Sequence, residues 1–170
     1  HLVTNTKKFI HFLTRAEAFE NPLLGRFYRS INMLPVYRVR DGMSAVKKNE
    51  QIFDECFERL KQGDGVLVYA EASHDLRRRV RPFSKGFTRI AFGAEEKYDW
   101  NLDLQVIPVG VSYGGHRKSR TPVRVEFGEC IPVSDFENQF QEDEREAANR
   151  LKKATSEGLK KVTMHVANLK

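Results

Sequence analysis

Residues 71–86 read EASHDLRRRVRPFSKG. One carboxylate, Glu71, is followed by Arg77, Arg78, Arg79 and Arg81, then by Lys85 and Gly86. Guanidinium forks and a nearby ammonium suit the receipt of a phosphate group. A carboxylate among them is placed to orient a ligand hydroxyl. His74 stands in the same run and suits either a site or a plain surface. Arg77, Arg78 and Arg79 could equally be a solvated loop. The motif SKGF has no Walker spacing, so a nucleotide P-loop is excluded.

The run follows GVLVYA (65–70), an apolar stretch of strand length that reads as a buried parallel strand. It precedes a helix expected to open at Gly86, whose first N–H groups and partial positive charge favour an anion. Two further strands end on cations. FLTR carries Arg15, and NMLPVYRVRDG carries Arg38 and Arg40. In a parallel sheet ligands gather beyond the carboxyl ends of the strands. The expectation is that Arg15, Arg38, Glu71, His74, Arg81 and Lys85 share one crevice at those tips.

The remaining elements follow from periodicity. KFIHFLT (8–14) has a strand core, 16–31 reads as two short helices parted by Pro22, and 33–39 is an irregular strand. From Ser44 to Lys61 the positions 46, 53, 56, 57 and 60 make one helical face, closed by Gly63. A helix is expected over 86–98, strands over 104–113 and 122–128, and a long charged helical stretch over 136–166 broken near Gly158. Alternation of this kind predicts an α/β fold: a single-domain sandwich spanning 1–170, with a mainly parallel sheet flanked by helices.

The 170 residues are 40% hydrophobic and 31% charged, with a net charge of +6. Such a balance excludes a disordered chain. The positive excess fits an anionic partner, or simply aids solubility. Two cysteines, Cys56 and Cys130, cannot form a disulfide framework and read as reduced core residues, which suits the cytosol. No apolar run approaches the roughly 18 residues of a spanning helix, and no leader pattern is visible.

With these residues in view, the chain resembles the glycerolipid acyltransferase family, the 1-acylglycerol-3-phosphate acyltransferase-like proteins. The likeness runs from about residue 8 to residue 130. MLPVYR, with Arg38, is similar to the family's second block. YAEASH, with Glu71, is similar to its third, and VIPVGV, with Pro108, to its fourth. The resemblance implies transfer of a fatty acyl group from an acyl thioester to the hydroxyl of a lysophospholipid or glycerol phosphate. It implies Arg38 and Glu71 as ligands of the acceptor's phosphate and glycerol. No bound cofactor is expected. Acyl-CoA or an acyl-carrier-protein thioester would serve as co-substrate, with peripheral contact on the cytoplasmic side of a membrane.

Two departures stand out. Ala70 and Ala72 flank Glu71 where the family has proline and glycine, which bears on how closely a ligand can approach. The family's first block, His-x-x-x-x-Asp, holds its general base. Five positions after His1, His11, His74, His116 and His165 stand Thr6, Ala16, Arg79, Thr121 and Lys170. The expectation is a domain truncated upstream, with no catalytic residue of its own and inactive alone. Two other readings compete: a non-catalytic lipid-binding relative, and a basic nucleic-acid binder. Phe9, Phe53, Phe57 and Phe92 read as core rather than stacking platforms, so nucleic acid is not expected as a partner.

Overall fold

The computed structural model describes residues 8–37, 43–71, 80–113 and 121–163, with 43–46 by backbone alone. The described chain is mixed α/β and falls into two units. One comprises the chain up to Tyr69 together with Glu96–Leu102, the other Ala70–Glu95 and the chain from Asp103 onward.

The first unit is built on a three-stranded parallel sheet in the order β2–β1–β3. β1 (Ile10–Arg15) is central, β2 (Met33–Val36) and β3 (Gly65–Leu67) are its neighbours. A 3₁₀ turn over Ala16–Phe19 and α1 (Pro22–Ser30) connect β1 to β2. Asn21 caps α1, its side chain accepting from the N–H groups of Leu23 and Leu24, and Pro22 takes the first helical turn, where no donor is lost. α2 (Met43–Lys61) returns the chain to β3. The face expected on α2 is the one that packs: Ile52, Phe53 and Cys56 are buried, and Phe57 and Leu60 are half-buried. Val46 lies outside the described side chains. Burial pushes the Cys56 thiol up to about 12, with Glu55 adding to it, so it stays a neutral core group.

The end of α2 fixes the start of the sheet. Gly63 takes φ +79°. Its N–H donates to Leu60 O at 2.9 Å and the Asp64 N–H to Arg59 O at 3.0 Å, the paired bonds of a Schellman turn. The turn delivers Asp64 to β1. Its Oδ1 accepts the Phe9 N–H at 3.0 Å and its Oδ2 meets His11 Nε2 at 3.1 Å. The Asp64 side chain is 11% exposed and His11 is buried.

The second unit packs α3 (Gly86–Lys97) and α5 (Glu144–Val162), each over its residues there, with short strands and α4 (Glu137–Glu142). β4 (Gln105–Val106) pairs antiparallel with β7 (Ile131–Pro132), and β5 (Val109–Tyr113) with β6 (Val123–Phe127). Phe87, Ile90, Ala91, Phe92 and Ala94 of α3 are buried, as are Val133, Ala147 and Leu151. Phe92 stacks on Phe140 at 4.8 Å between centroids. Glu95 is also fully buried, and its Oε1 accepts the Leu104 N–H at 2.6 Å.

Several expectations change. Among the described residues the sheet is not one body but a parallel trio and two antiparallel pairs. The 104–113 run is two strands because Pro108 has no N–H to donate; its carbonyl takes the Gly128 N–H instead, at 2.8 Å. β3 stops at Leu67, and Tyr69 is exposed. The charged tail breaks at Asp143, whose carboxylate caps α5 through the Arg145 and Glu146 N–H groups, and not at Gly158. Gly158 stays helical because its bare Cα admits the Pro108 ring; a Cβ there would stand 2.8 Å from Pro108 Cγ. Gly110 does the same on β5, against the Val162 backbone. Phe9 and Cys130 are exposed and not core. No helix among the described residues is long and apolar enough to cross a membrane.

The Asp64 tie carries a pH signature. Burial pushes the carboxyl up, yet the Phe9 N–H and His11 outweigh it, and the group sits below the usual carboxylate value. A depressed folded value means the unfolded chain binds the proton first, so stability rises with pH through that window. The contribution is present above the ordinary carboxylate range and is lost as pH falls through it. Urea midpoints measured between pH 3 and pH 7 should therefore show a shallower acid slope for Asp64→Asn than for wild type. Equal slopes would contradict the assignment.

Candidate functional site

The order β2–β1–β3 with parallel pairing has a consequence for ligands. The chain leaves β1 toward one neighbour, then crosses to the other side for β3. Such a switch point opens a crevice at the carboxyl ends of the strands concerned. Arg15 is the last residue of β1, paired in register with Val36 of β2, and its side chain is exposed. Arg38 follows two residues after Val36 and lies outside the described residues, as does Arg40. β3 leads out of the same edge of the sheet toward Ala70.

The approach to Arg38 is held by a contact that sequence patterning did not flag. Asn49 of α2 is buried. Its Oδ1 accepts the Tyr37 N–H at 2.9 Å and its Nδ2 donates to Tyr37 O at 2.7 Å. Lys48 Nζ stands 5.1 Å from the centroid of the Tyr37 ring. An asparagine side chain thus completes both backbone bonds of a residue just past a strand end, as a neighbouring strand would. The visible clue was a polar residue within the apolar face of α2, but asparagine in a helix reads first as surface.

Within the second unit, Glu71, Arg81 and Lys85 come together at the neck of the arginine loop. Glu71 forms a single antiparallel bridge with Phe83, and the Ser84 N–H donates to Ala70 O at 2.8 Å. Glu71 Oε1 accepts the Arg81 backbone N–H at 3.1 Å. Glu71 and Lys85 are exposed and Arg81 is half-buried. The Lys85 carbonyl accepts from the Arg89 N–H at 3.2 Å and from Thr88 Oγ1 at 3.0 Å, so Lys85 sits at the entry to α3. Phe83 packs edge-on against Phe87 at 5.9 Å and anchors the neck to that helix. An exposed carboxylate and cationic side chains are therefore carried on one short, backbone-bonded stem. His74 and Arg77–Arg79 lie outside the described residues.

The His11–Asp64 pair has the look of a catalytic dyad but the wrong address. It sits where β1 and β3 begin, at the edge opposite their carboxyl ends. His11 is buried, and its Nδ1 has no hydrogen-bond partner among the described residues. The pair is a structural latch. Among the described residues no group of His, Cys, Asp and Glu could hold a metal ion.

The Tyr37 clamp is testable. Asn49→Ala leaves a half-buried N–H and C=O without their partner, each costing about 1–3 kcal/mol. The expected loss is roughly 2 kcal/mol or more, read from urea unfolding. A loss under roughly 0.5 kcal/mol, the scale of an ordinary surface substitution, would show the clamp to be incidental.

The family model described as Acyltransferase matches residues 2–112, more than half of the chain. The chain is also 29% identical over 119 residues to Glycerol-3-phosphate O-acyltransferase 1 of Saccharomyces cerevisiae. That similarity covers 66% of this chain and 15% of the relative, so the chain corresponds to a small part of that protein. No solved structure matches. The family match runs from β1 into β5 and takes in both the sheet edge and the Glu71 neck, and the chain belongs to the glycerolipid acyltransferase family.

Proposed function

We propose that this domain moves a fatty acyl group from an acyl thioester, on coenzyme A or acyl carrier protein, to a hydroxyl of glycerol phosphate or a lysophospholipid. The match to the acyltransferase family over residues 2–112 carries the reading. The similarity to the yeast glycerol-3-phosphate O-acyltransferase supports a glycerol phosphate acceptor. The acceptor oxygen attacks the thioester carbon. The new C–O bond forms, the C–S bond breaks, the hydroxyl proton passes to a base and the thiolate leaves.

The residues of this chain bind and orient; they do not take the proton. Arg38 and Glu71 receive the acceptor, the guanidinium on the phosphate and the carboxylate on a glycerol hydroxyl. Arg15, Arg81, Lys85 and His74 add to acceptor binding. The cations raise the local concentration of a doubly charged acceptor and hold it in one orientation. Residues 1–170 hold no His-x-x-x-x-Asp, so the general base of the family's route is not among them. Lipid products suit a domain at the periphery of a membrane, on its cytoplasmic side.

The test is acyl transfer from labelled acyl-CoA to glycerol 3-phosphate by the protein in its natural length. Glu71→Gln keeps an oxygen for the Arg81 N–H and loses the charge. A hydrogen bond to a charged group is worth about 1.5–3 kcal/mol, so kcat/KM should fall roughly ten- to a hundredfold at unchanged thermal midpoint. Arg38→Ala should act mainly on the acceptor KM. Residues 1–170 alone should give no transfer. Wild-type rates for Glu71→Gln, or turnover by 1–170 alone, would overturn the assignment.

A further inference from the structure

α1 is an amphipathic helix mounted with its apolar side outward. Leu23, Leu24, Phe27 and Ile31 fall within about a 100° arc of the helix. They are 77%, 48%, 56% and 41% exposed. The face turned inward is the small one. Gly25 is buried against the Phe19 backbone, where a Cβ would meet Phe19 O at 3.1 Å, and Tyr28 packs edge-on to the Phe19 ring at 5.5 Å. Large side chains were available for the inner face and were left outside. Arg26 is exposed at the edge of the stripe, while Arg29 falls on the inner side and stands over the Phe19 ring at 6.0 Å. From Asn21 to Asn32 there is no acidic residue.

We propose that the α1 face is a docking surface for an anionic phospholipid membrane. It extends the lipid-substrate reading above by naming where the domain meets the lipid. The charge decides between occupants. Leucines and a phenylalanine bordered by Arg26, with no acid from Asn21 to Asn32, fit the boundary between acyl chains and negative headgroups. A second copy of the chain would bring like charges together across the same stripe. The nine-residue helix is also only about 14 Å long, short of the roughly 800 Å² per partner that a stable dimer buries.

The experiment is co-sedimentation of the protein with vesicles of phosphatidylglycerol and phosphatidylcholine, or of phosphatidylcholine alone, with no acyl donor and no lysophospholipid present. Binding should favour the anionic vesicles. Leu23→Glu with Phe27→Glu should weaken it at least tenfold, and Arg26→Gln about fivefold on anionic vesicles only. These side chains are exposed, so the thermal midpoint should not move, which separates lost docking from lost folding. Unchanged binding by the double variant, or equal binding to both vesicle types, would overturn the proposal. So would a dimer that the double variant dissociates while neither form binds vesicles. Binding of soluble glycerol 3-phosphate by residues 1–170 is measured alongside. Such binding without vesicle binding sinks the docking surface alone, and vesicle binding without it leaves the docking surface standing and sinks the acyltransferase reading.

Discussion

The first unit depends on one carboxylate. Asp64 joins the Schellman turn of α2 to the backbone of Phe9 and the imidazole of His11. With that tie made, Gly65 pairs with Ile10 and Leu67 with Phe12. The pairing fixes which faces of β1 point where, since a one-residue slip in a strand exchanges its two sides. It also fixes which residue ends the strand. Arg15 reaches the carboxyl edge of the sheet because Ile10 is held at the other edge. A buried carboxylate is costly when unpaired, so the tie selects against competing registers as well as stabilising the native one.

The site elements share a strategy with that latch: polar backbone groups are satisfied by side chains where the regular ladders stop. Asn49 stands in for a strand beside Tyr37, and Glu71 accepts the Arg81 N–H where the arginine loop closes. Both contacts leave a charged residue next to a pinned backbone position. A binding group on an anchored stem loses less entropy on meeting its ligand than one on a loose loop. A carboxylate has more acceptor positions than one N–H uses, so the Arg81 contact does not exhaust those of Glu71.

Much of the first unit was legible in the sequence, because helical faces and strand runs are local patterns. The α2 face, Gly63 as its terminus and strands over 8–14 and 33–39 follow from spacing, and the structure has them at Ile10–Arg15 and Met33–Val36. What stayed hidden was non-local. Nothing in the spacing of Asp64 and His11 tells that they meet, and Asn49 is one polar residue among many in a charged helix. Gly158 misled for the same reason. A glycine in a helix is a weak point by propensity, but here it is a contact surface for Pro108. The second unit was read less well, since its strands are short and Pro108 divides what looked like one. Of the candidate site, Glu71, Arg81 and Lys85 fall on one stem, while the roles of Arg38 and Glu71 rest on the family likeness and His74 was named only from its place in the run.

α1 shows how a sequence pattern can be right about shape and silent about direction. Its periodicity marks an apolar stripe, and the default inference is that the stripe faces the core. Two features reverse it. Gly25 permits a close approach only on the opposite side, and Phe19, just upstream, supplies the surface that side needs. Packing through a glycine buries little area, so the helix gains less from tertiary contact than its composition could give. Its cap and its proline then matter more, because they lower the cost of starting so short a helix. A helix held by its ends and a single glycine leaves its largest apolar side chains uncommitted to the fold. Chain stability therefore constrains them weakly, which leaves Leu23, Leu24, Phe27 and Ile31 available to a partner outside the described fold.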